Sequence, residues 1–388
     1  MKKFAVIFES SPFDRKGLFN AVHNRVVHLL ATGKCEVDVY CIHSRDNAFT
    51  RSVRHTPDTP DVQSVVIDGI TYNLLWYRFS ILDYLTLEKL HMRPLLFRRF
   101  IDRNVRLLKE YDAVLAHSFT GGLMAYEAYK HYNVPYYVSW HGSDVHTHPL
   151  RVPVILEDTA KIMSAASCNF FVSKALMEQS FTIAPSAVRK VLYNGVAEDF
   201  VRFDEERRAA LRSEYGLSEG EKVVAFVGTL NEVKNVRVLP SLFAAVADCY
   251  DGALKFWIVG DGKLRSEVES AMQRYAGHDF RFWGNMPSDT MPDIMNCIDV
   301  LVLPSLNEGL PLVCAEALRC GANVVGSDVG GIAEVIGADN VVPHGDGFVS
   351  AMVDRVVTML SSDIEQVIPS QIDWSKTASA ELETILGA

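Results

Sequence analysis

Two glutamates separated by seven residues, Glu308 and Glu316, lie in the string DVLVLPSLNEGLPLVCAEALRCGANVVGSDVGGIAEVI of residues 299–336. An apolar run ends at Pro304, a loop carries Glu308 and Gly309, and a helix is predicted to begin at Pro311, because proline suits the first helical turn. The N–H groups of Gly309, Leu310 and Leu312 would then form an anion-binding helix terminus suited to a diphosphate. Glu316 follows about one and a half turns later and can reach the same crevice as Glu308, where two carboxylates accept hydrogen bonds from sugar or ribose hydroxyls. The alternative is that Glu308 caps the helix and Glu316 is solvated. A second set surrounds Lys234, which follows the run Val227-Gly228-Thr229-Leu230; an ammonium in a loop after a strand offsets the charge of a departing diphosphate. His141 opens the loop Trp140-His141-Gly142-Ser143-Asp144, where an imidazole leaves the edge of a sheet either as a functional group or as a partner of loop backbone. Gly260-Asp261-Gly262 and Gly284 close two further apolar runs and Gly17 closes the first turn. Gly330-Gly331 either approaches a phosphate or turns the chain.

Such loops need a sheet edge to stand on. In the first half, apolar runs at 4–8, 37–42, 112–117, 136–140, 168–172 and 191–193 alternate with amphipathic segments, beginning with a helix near 18–31. Nearly continuous apolar strands separated by helices indicate a parallel sheet covered on both faces. After the polar stretch 204–221 the pattern restarts, with strands at 223–227, 254–259, 280–283, 300–303 and 323–326, each followed by Gly or Pro. The expectation is an α/β chain of two doubly wound parallel-sheet domains, 1–199 and 200–370, with a terminal helix over 371–388 packing back toward the first. Ligands of such sheets sit beyond the carboxyl ends of the strands; two sheets facing across a cleft would bring their loops to it.

The 388 residues are 48% hydrophobic and 22% charged, which excludes a disordered chain. The net charge of −10 speaks against nucleic acid as a partner. It is unevenly spread: residues 1–200 hold 23 Lys and Arg against 20 Asp and Glu, and the remainder 15 against 28. Residues 88–110, with seven Lys or Arg among Leu, Phe, Ile and Val, read either as a face for an anionic membrane, led by Arg98, Arg99 and Arg103, or as a scaffold helix with hydrated arginines. Seven cysteines without a C-x-x-C pair read as buried free thiols in a reducing compartment. The apolar run after Lys2 and Lys3 stops at Glu9, too short for a signal peptide, so a cytoplasmic protein is expected. No D-x-D triplet and no zinc-spaced Cys/His cluster occurs.

These motifs closely resemble the retaining glycosyltransferases of family 4, over nearly the whole chain and most specifically at 141–144, 194–196, 227–235, 260–262 and 299–336. The resemblance implies the GT-B architecture and a hexosyl transfer, without cofactor or metal, from a nucleotide diphosphate sugar to a hydroxyl of a glycan or lipid-linked saccharide in polysaccharide synthesis. A UDP-sugar is the expected donor, and the inner membrane face a possible working site. It gives Glu308 the donor sugar's hydroxyls, Glu316 the ribose and Lys234 the leaving diphosphate. His141 goes to the sugar and its phosphates. Gly17, Gly228, Thr229, Gly260, Gly284, Gly309, Leu310, Pro311 and Leu312 frame the donor, while Asp144 and the three arginines stand on the acceptor or membrane side. The sequence departs from the pattern twice: Thr229 stands where an Arg is usual, and only Gly17 remains of a Gly-rich first loop. A GT-B nucleotide-sugar 2-epimerase, a phosphorylase and a non-catalytic sugar-nucleotide-binding subunit are the alternatives.

Overall fold

The computed structural model describes residues 1–13, 17–44, 60–77, 80–275, 277 and 279–387; Asp14, Arg15 and Lys16 of the first turn lie outside them. The chain divides into two compact units, Met1–Asn194 with Asp373–Ala388 (unit 1) and Gly195–Ile372 (unit 2).

Unit 1 is built on strands β1 (Lys2–Glu9), β2 (Cys35–Ser44), β3 (Ser64–Ile67), β4 (Ile70–Tyr77), β5 (Ala113–His117), β6 (Tyr136–Trp140), β7 (Cys168–Phe171) and β8 (Arg189–Val191). Their order is β3-β4-β2-β1-β5-β6-β7-β8. All neighbours pair in parallel except β3 with β4. Phe4 to Phe8 are at most 1% exposed, which is why β1 reads as an unbroken apolar run: helices cover both of its faces. Two readings of the sequence need correction here. The hairpin β3–β4 was not anticipated, although its turn is Asp68-Gly69, both with positive φ (49° and 79°), the pair that a two-residue hairpin turn favours. The last strand is Arg189–Val191 rather than 191–193.

The helix Trp374–Leu386 belongs to this unit. Asp373 caps it by accepting from the N–H of Lys376, and Ala378 and Leu382 join the core formed by Phe4, Val6, Phe19, Val22 and Val26. Its Glu381 accepts a 2.6 Å hydrogen bond from Nε of Arg25, on the helix Gly17–Ala31, with both side chains 1% exposed.

Unit 2 contains β9 (Lys222–Val227), β10 (Leu254–Val259), β11 (Phe280–Gly284), β12 (Val300–Leu303), β13 (Asn323–Ser327) and β14 (Val341–Val342), all parallel in the order β11-β10-β9-β12-β13-β14. Counted within the unit this is 3-2-1-4-5-6, the order of the dinucleotide-binding Rossmann sheet, whose winding reverses between its first and fourth strands. That switch point lies between β9 and β12. In unit 1 the reversal falls between β1 and β5. Of the seven free cysteines six are buried, but Cys249 is exposed, against the expectation that all were interior.

Candidate functional site

The loops after β9 and β12 meet at the switch point of unit 2. Leu306 N–H donates to the Val233 carbonyl at 2.7 Å, joining them through backbone. Lys234, its N–H held by the Asn231 side chain, sends Nζ to Glu308 Oε1 at 2.6 Å. Ser305 Oγ donates to the same oxygen at 2.7 Å. Lys234 and Glu308 are 22% and 12% exposed, so their pairing is shielded from bulk water and stronger than a surface ion pair. The sequence placed these residues in one crevice with separate duties; the structure joins them directly, and Ser305, which the sequence reading passed over, completes the contact.

The backbone that holds Glu308 in place depends on Gly330. It has φ +53°, and a Cβ built on it would lie 1.8 Å from the Glu308 carbonyl oxygen. The Gly331 N–H bonds the Gly309 carbonyl at 3.0 Å. Gly330-Gly331 thus packs closely against the Glu308 loop. Gly260 works similarly one strand over: a Cβ there would stand 2.0 Å from the Gly228 carbonyl, and its N–H bonds the Gly284 carbonyl at 2.7 Å. The loops after β9, β10 and β11 are thereby held together by backbone, with Thr229 exposed among them.

The helix after the Glu308 loop is Leu312–Arg319, starting one residue later than predicted; Pro311 is its N-cap and makes no side-chain cap. Its first N–H groups follow Gly309 and Leu310 directly. Glu316 is half-buried on this helix, and burial, reinforced by the charge of Asp199, raises its carboxyl from an ordinary 4.5 to about 7. At neutral pH such a carboxyl both accepts and donates hydrogen bonds, which suits vicinal hydroxyls.

In unit 1, His141 follows β6 and His117 ends β5, the neighbouring strand. Their rings are stacked with centroids 5.3 Å apart, and His117 Nδ1 lies 3.0 Å from His141 Nε2. His117 is 2% exposed. Desolvation by burial, with the cation of Arg25 adding to it, pushes the imidazoles well below their usual range, His141 to about 3. Asp144 is buried and its carboxylate accepts from the N–H groups of Gly142 (2.8 Å) and His141 (3.2 Å). It braces the loop that presents His141, and burial raises its own pKa. His117 was missed in the sequence; a second histidine closing an adjacent strand is the signal that would have found it. Gly17 is the first residue of its helix, and a Cβ there meets nothing within 4 Å.

Unit 1 also contains a cavity of about 760 Å³, within the range of small-molecule sites. Glu9, ending β1 at the switch point, lies at its wall and accepts from Tyr77 Oη (3.0 Å) and Thr120 Oγ1 (2.6 Å); Phe97, Leu123 and Arg98 also line it. Arg98, Arg99 and Arg103 lie on the helix Leu95–Asn104 and are exposed, beside exposed Leu90, Met92, Leu95 and Leu96. Among the described residues no helix is long and apolar enough to cross a membrane.

Residues 221–362 match the model of the family described as Glycosyl transferases group 1. An uncharacterized glycosyltransferase of Methanocaldococcus jannaschii is 27% identical over 266 residues, 64% of this chain and 67% of that protein. The 2-deoxystreptamine N-acetyl-D-glucosaminyltransferase of Streptomyces fradiae is 36% identical over 182 residues, 44% of this chain, and the match spans only 40% of that enzyme. In structure the chain is similar to Anabaena HepE solved with UDP and glucose, with a TM-score of 0.70 over 100% of this chain and 97% of that one at 16% identity, a likeness of fold. The chain thus has the GT-B fold, and its residues 221–362 are similar to the group 1 glycosyl transferases.

Proposed function

We propose that this protein is a retaining glycosyltransferase of family 4, moving a hexosyl group from a nucleotide diphosphate sugar, UDP-linked in the first instance, to a hydroxyl of a glycan or lipid-linked saccharide in polysaccharide assembly. The observation that carries the reading is the Lys234–Glu308 pair at the switch point of unit 2, beside the N-terminus of the helix that bears Glu316. An ammonium and free N–H groups are suited to a diphosphate, and Glu308 and Glu316 to sugar and ribose hydroxyls. Similarity to a fold solved with UDP and glucose supports the donor class. Lys234 takes over charge on the leaving diphosphate, the attack is same-face, and the donor phosphate receives the acceptor's proton. The reaction is proposed to run without a metal, since electrostatic work falls to Lys234 and the helix terminus and the chain lacks a D-x-D triplet.

The acceptor is assigned to unit 1. Its cavity, with a carboxylate, aromatic walls and Arg98, suits a saccharide carrying apolar and anionic portions. The exposed leucines and arginines of 90–103 support peripheral contact with an anionic membrane at the inner face of the cell.

The test is a thermal-shift panel with UDP, GDP and ADP, followed by turnover of the stabilising nucleotide's sugar with and without a lipid-linked acceptor, in buffer and in EDTA. A raised melting temperature with one nucleotide and acceptor-dependent, EDTA-resistant turnover are expected. No stabilisation by any nucleotide would refute the donor site, and product from donor alone would make the protein an epimerase.

A further inference from the structure

We propose that His344 is a positioning residue for the Lys234–Glu308 pair. It donates a hydrogen bond that fixes the peptide between Ser305 and Leu306, the backbone group that joins the Glu308 loop to the Lys234 loop. The proposal rests on the glycosyl-transfer reading only for the use to which the pair is put. Its geometry lies wholly within unit 2.

His344 follows β14, which is separated from β12 by β13. Its Nε2 stands 2.9 Å from the Ser305 carbonyl oxygen. A carbonyl oxygen offers only lone pairs, so the nitrogen facing it carries the proton, and the acceptor alone settles the direction of this bond. Ser327 Oγ, at the end of β13, donates to the same oxygen. Both lone pairs of one carbonyl are therefore taken, each by a donor from a different strand end.

The other side of that peptide is held as well. The Leu306 N–H belongs to the same planar unit as the Ser305 carbonyl, and it donates at 2.7 Å to Val233, the residue before Lys234. Because the unit is rigid, a rotation that spoils the bond on one side spoils the bond on the other. From this fixed peptide Ser305 Oγ reaches Glu308 Oε1 at 2.7 Å, the oxygen that Lys234 Nζ meets at 2.6 Å. A donor from the far loop after β14 thus acts on the pair through one backbone group.

The ring that donates is itself held in place. It packs on Phe348 with centroids 4.3 Å apart and 32° between the planes, and Phe348 is the buried first residue of the helix Phe348–Leu360. Gly345, next in the chain, has φ +143° although a Cβ there would meet nothing within 4 Å; the glycine serves the turn that aims the imidazole, not a close contact. The Asp328 N–H bonds the Val342 carbonyl at 2.7 Å, which ties together the two strand ends that supply the donors. His344 therefore does two separable things: it fills space against Phe348, and it donates to Ser305.

Two substitutions in the full chain separate these contributions. His344→Gln places an amide N–H near the position of Nε2 and discards the ring, whereas His344→Phe keeps a ring for Phe348 and discards the donor. His344→Phe should speed amide exchange of Leu306 at least about tenfold and lower kcat about tenfold, with UDP affinity within about twofold. His344→Gln should keep both exchange and kcat within about threefold of the unaltered protein. Retention of either the protection or the turnover in His344→Phe overturns the proposal, as does a folded His344→Gln protein impaired as much as His344→Phe, since packing would then be the role. Long-range ¹H–¹⁵N correlation on the unaltered chain labelled at histidine needs no variant to fold: Nε2 of His344 should carry a proton at pH 8, and a bare Nε2 overturns the proposal. Exchange and tautomer are read without turnover, so failure of the glycosyl-transfer reading would appear separately, as an inactive unaltered protein in which the effect on Leu306 is still present.

Discussion

At the ends of β5 and β6, one strand gap from the switch point of unit 1, the chain sets two neutral imidazoles 3.0 Å apart; at the switch point of unit 2 it pairs an ammonium with a carboxylate at 2.6 Å and follows them with a carboxyl raised to about 7. In both sheets loops from neighbouring parallel strands converge on one edge at these points. The winding therefore decides where groups meet, and the residues on the loops decide whether the place holds net charge. Unit 2 keeps charge within reach of a ligand, as the proposed diphosphate donor requires. Unit 1 excludes it from its histidines, leaving hydrogen bonds rather than ions to do the positioning.

The first way to break this contrast is Glu381→Leu. Removing one partner of the buried Arg25–Glu381 pair leaves an uncompensated cation, and unit 1 should lose about 3–5 kcal/mol of stability, read by chemical denaturation, with protection from hydrogen exchange in residues 195–372 little altered. If unit 1 is unaffected, the arginine is not the buried charge assigned to it. Next comes Glu308→Ala, expected to reduce transfer on the order of 10²–10³-fold while UDP still binds; Glu316→Ala should instead weaken nucleotide binding, and unchanged activity in both would remove the donor-site assignment. Gly330→Ala pushes a methyl against the Glu308 carbonyl and should cost about 1–3 kcal/mol in unit 2 together with part of the turnover.

The contrast extends to pH, with opposite signs. His117 and His141 have folded pKa values below the ordinary 6.5, His141 at about 3, so their contribution is present above pH 6.5 and is lost as acid forces protons onto them. Glu316 has a folded pKa above its ordinary 4.5, so the folded unit binds more protons than the unfolded chain between pH 4.5 and about 7, and its contribution is lost as pH rises through that window. Hydrogen exchange at pH 5 and 7.5 should show unit 1 more protected at the higher pH and the helix Leu312–Arg319 more protected at the lower, with Glu316→Gln abolishing the second trend alone. The smallest expected effect is that Arg99 and Arg103 replaced together by Glu abolish flotation with anionic vesicles while turnover of a soluble acceptor persists; flotation equal to the unaltered protein's would refute the membrane face.

Much of the site in unit 2 was legible because its parts follow one another along the chain: strand, loop, Glu308, proline and helix read in a single string. Pairing of Lys234 with Glu308 was not, since it depends on β9 and β12 being neighbours, a property of strand order. His117 escaped for the same reason: alone it closes an apolar run, and only adjacency of β5 and β6 gives it meaning. The hairpin at Asp68-Gly69 was missed because β3 has only four residues, its apolar run stops at Val65-Val66-Ile67, and Val66 is exposed. Arg25 and Glu381 are 356 positions apart, and no local pattern marks them as partners.

That separation sets an order of events during synthesis. Unit 2 draws on one contiguous segment, residues 195–372, and all of it has been made before the closing helix of unit 1 is added. Unit 1 begins first and finishes last: Ala378 and Leu382 of its core, and the carboxylate that answers Arg25, emerge only after the whole of unit 2 has been made. A nascent chain halted before residue 373 therefore exposes a gap over Phe4, Phe19 and Val22 and an arginine without a counter-charge, a state suited to capture by chaperones.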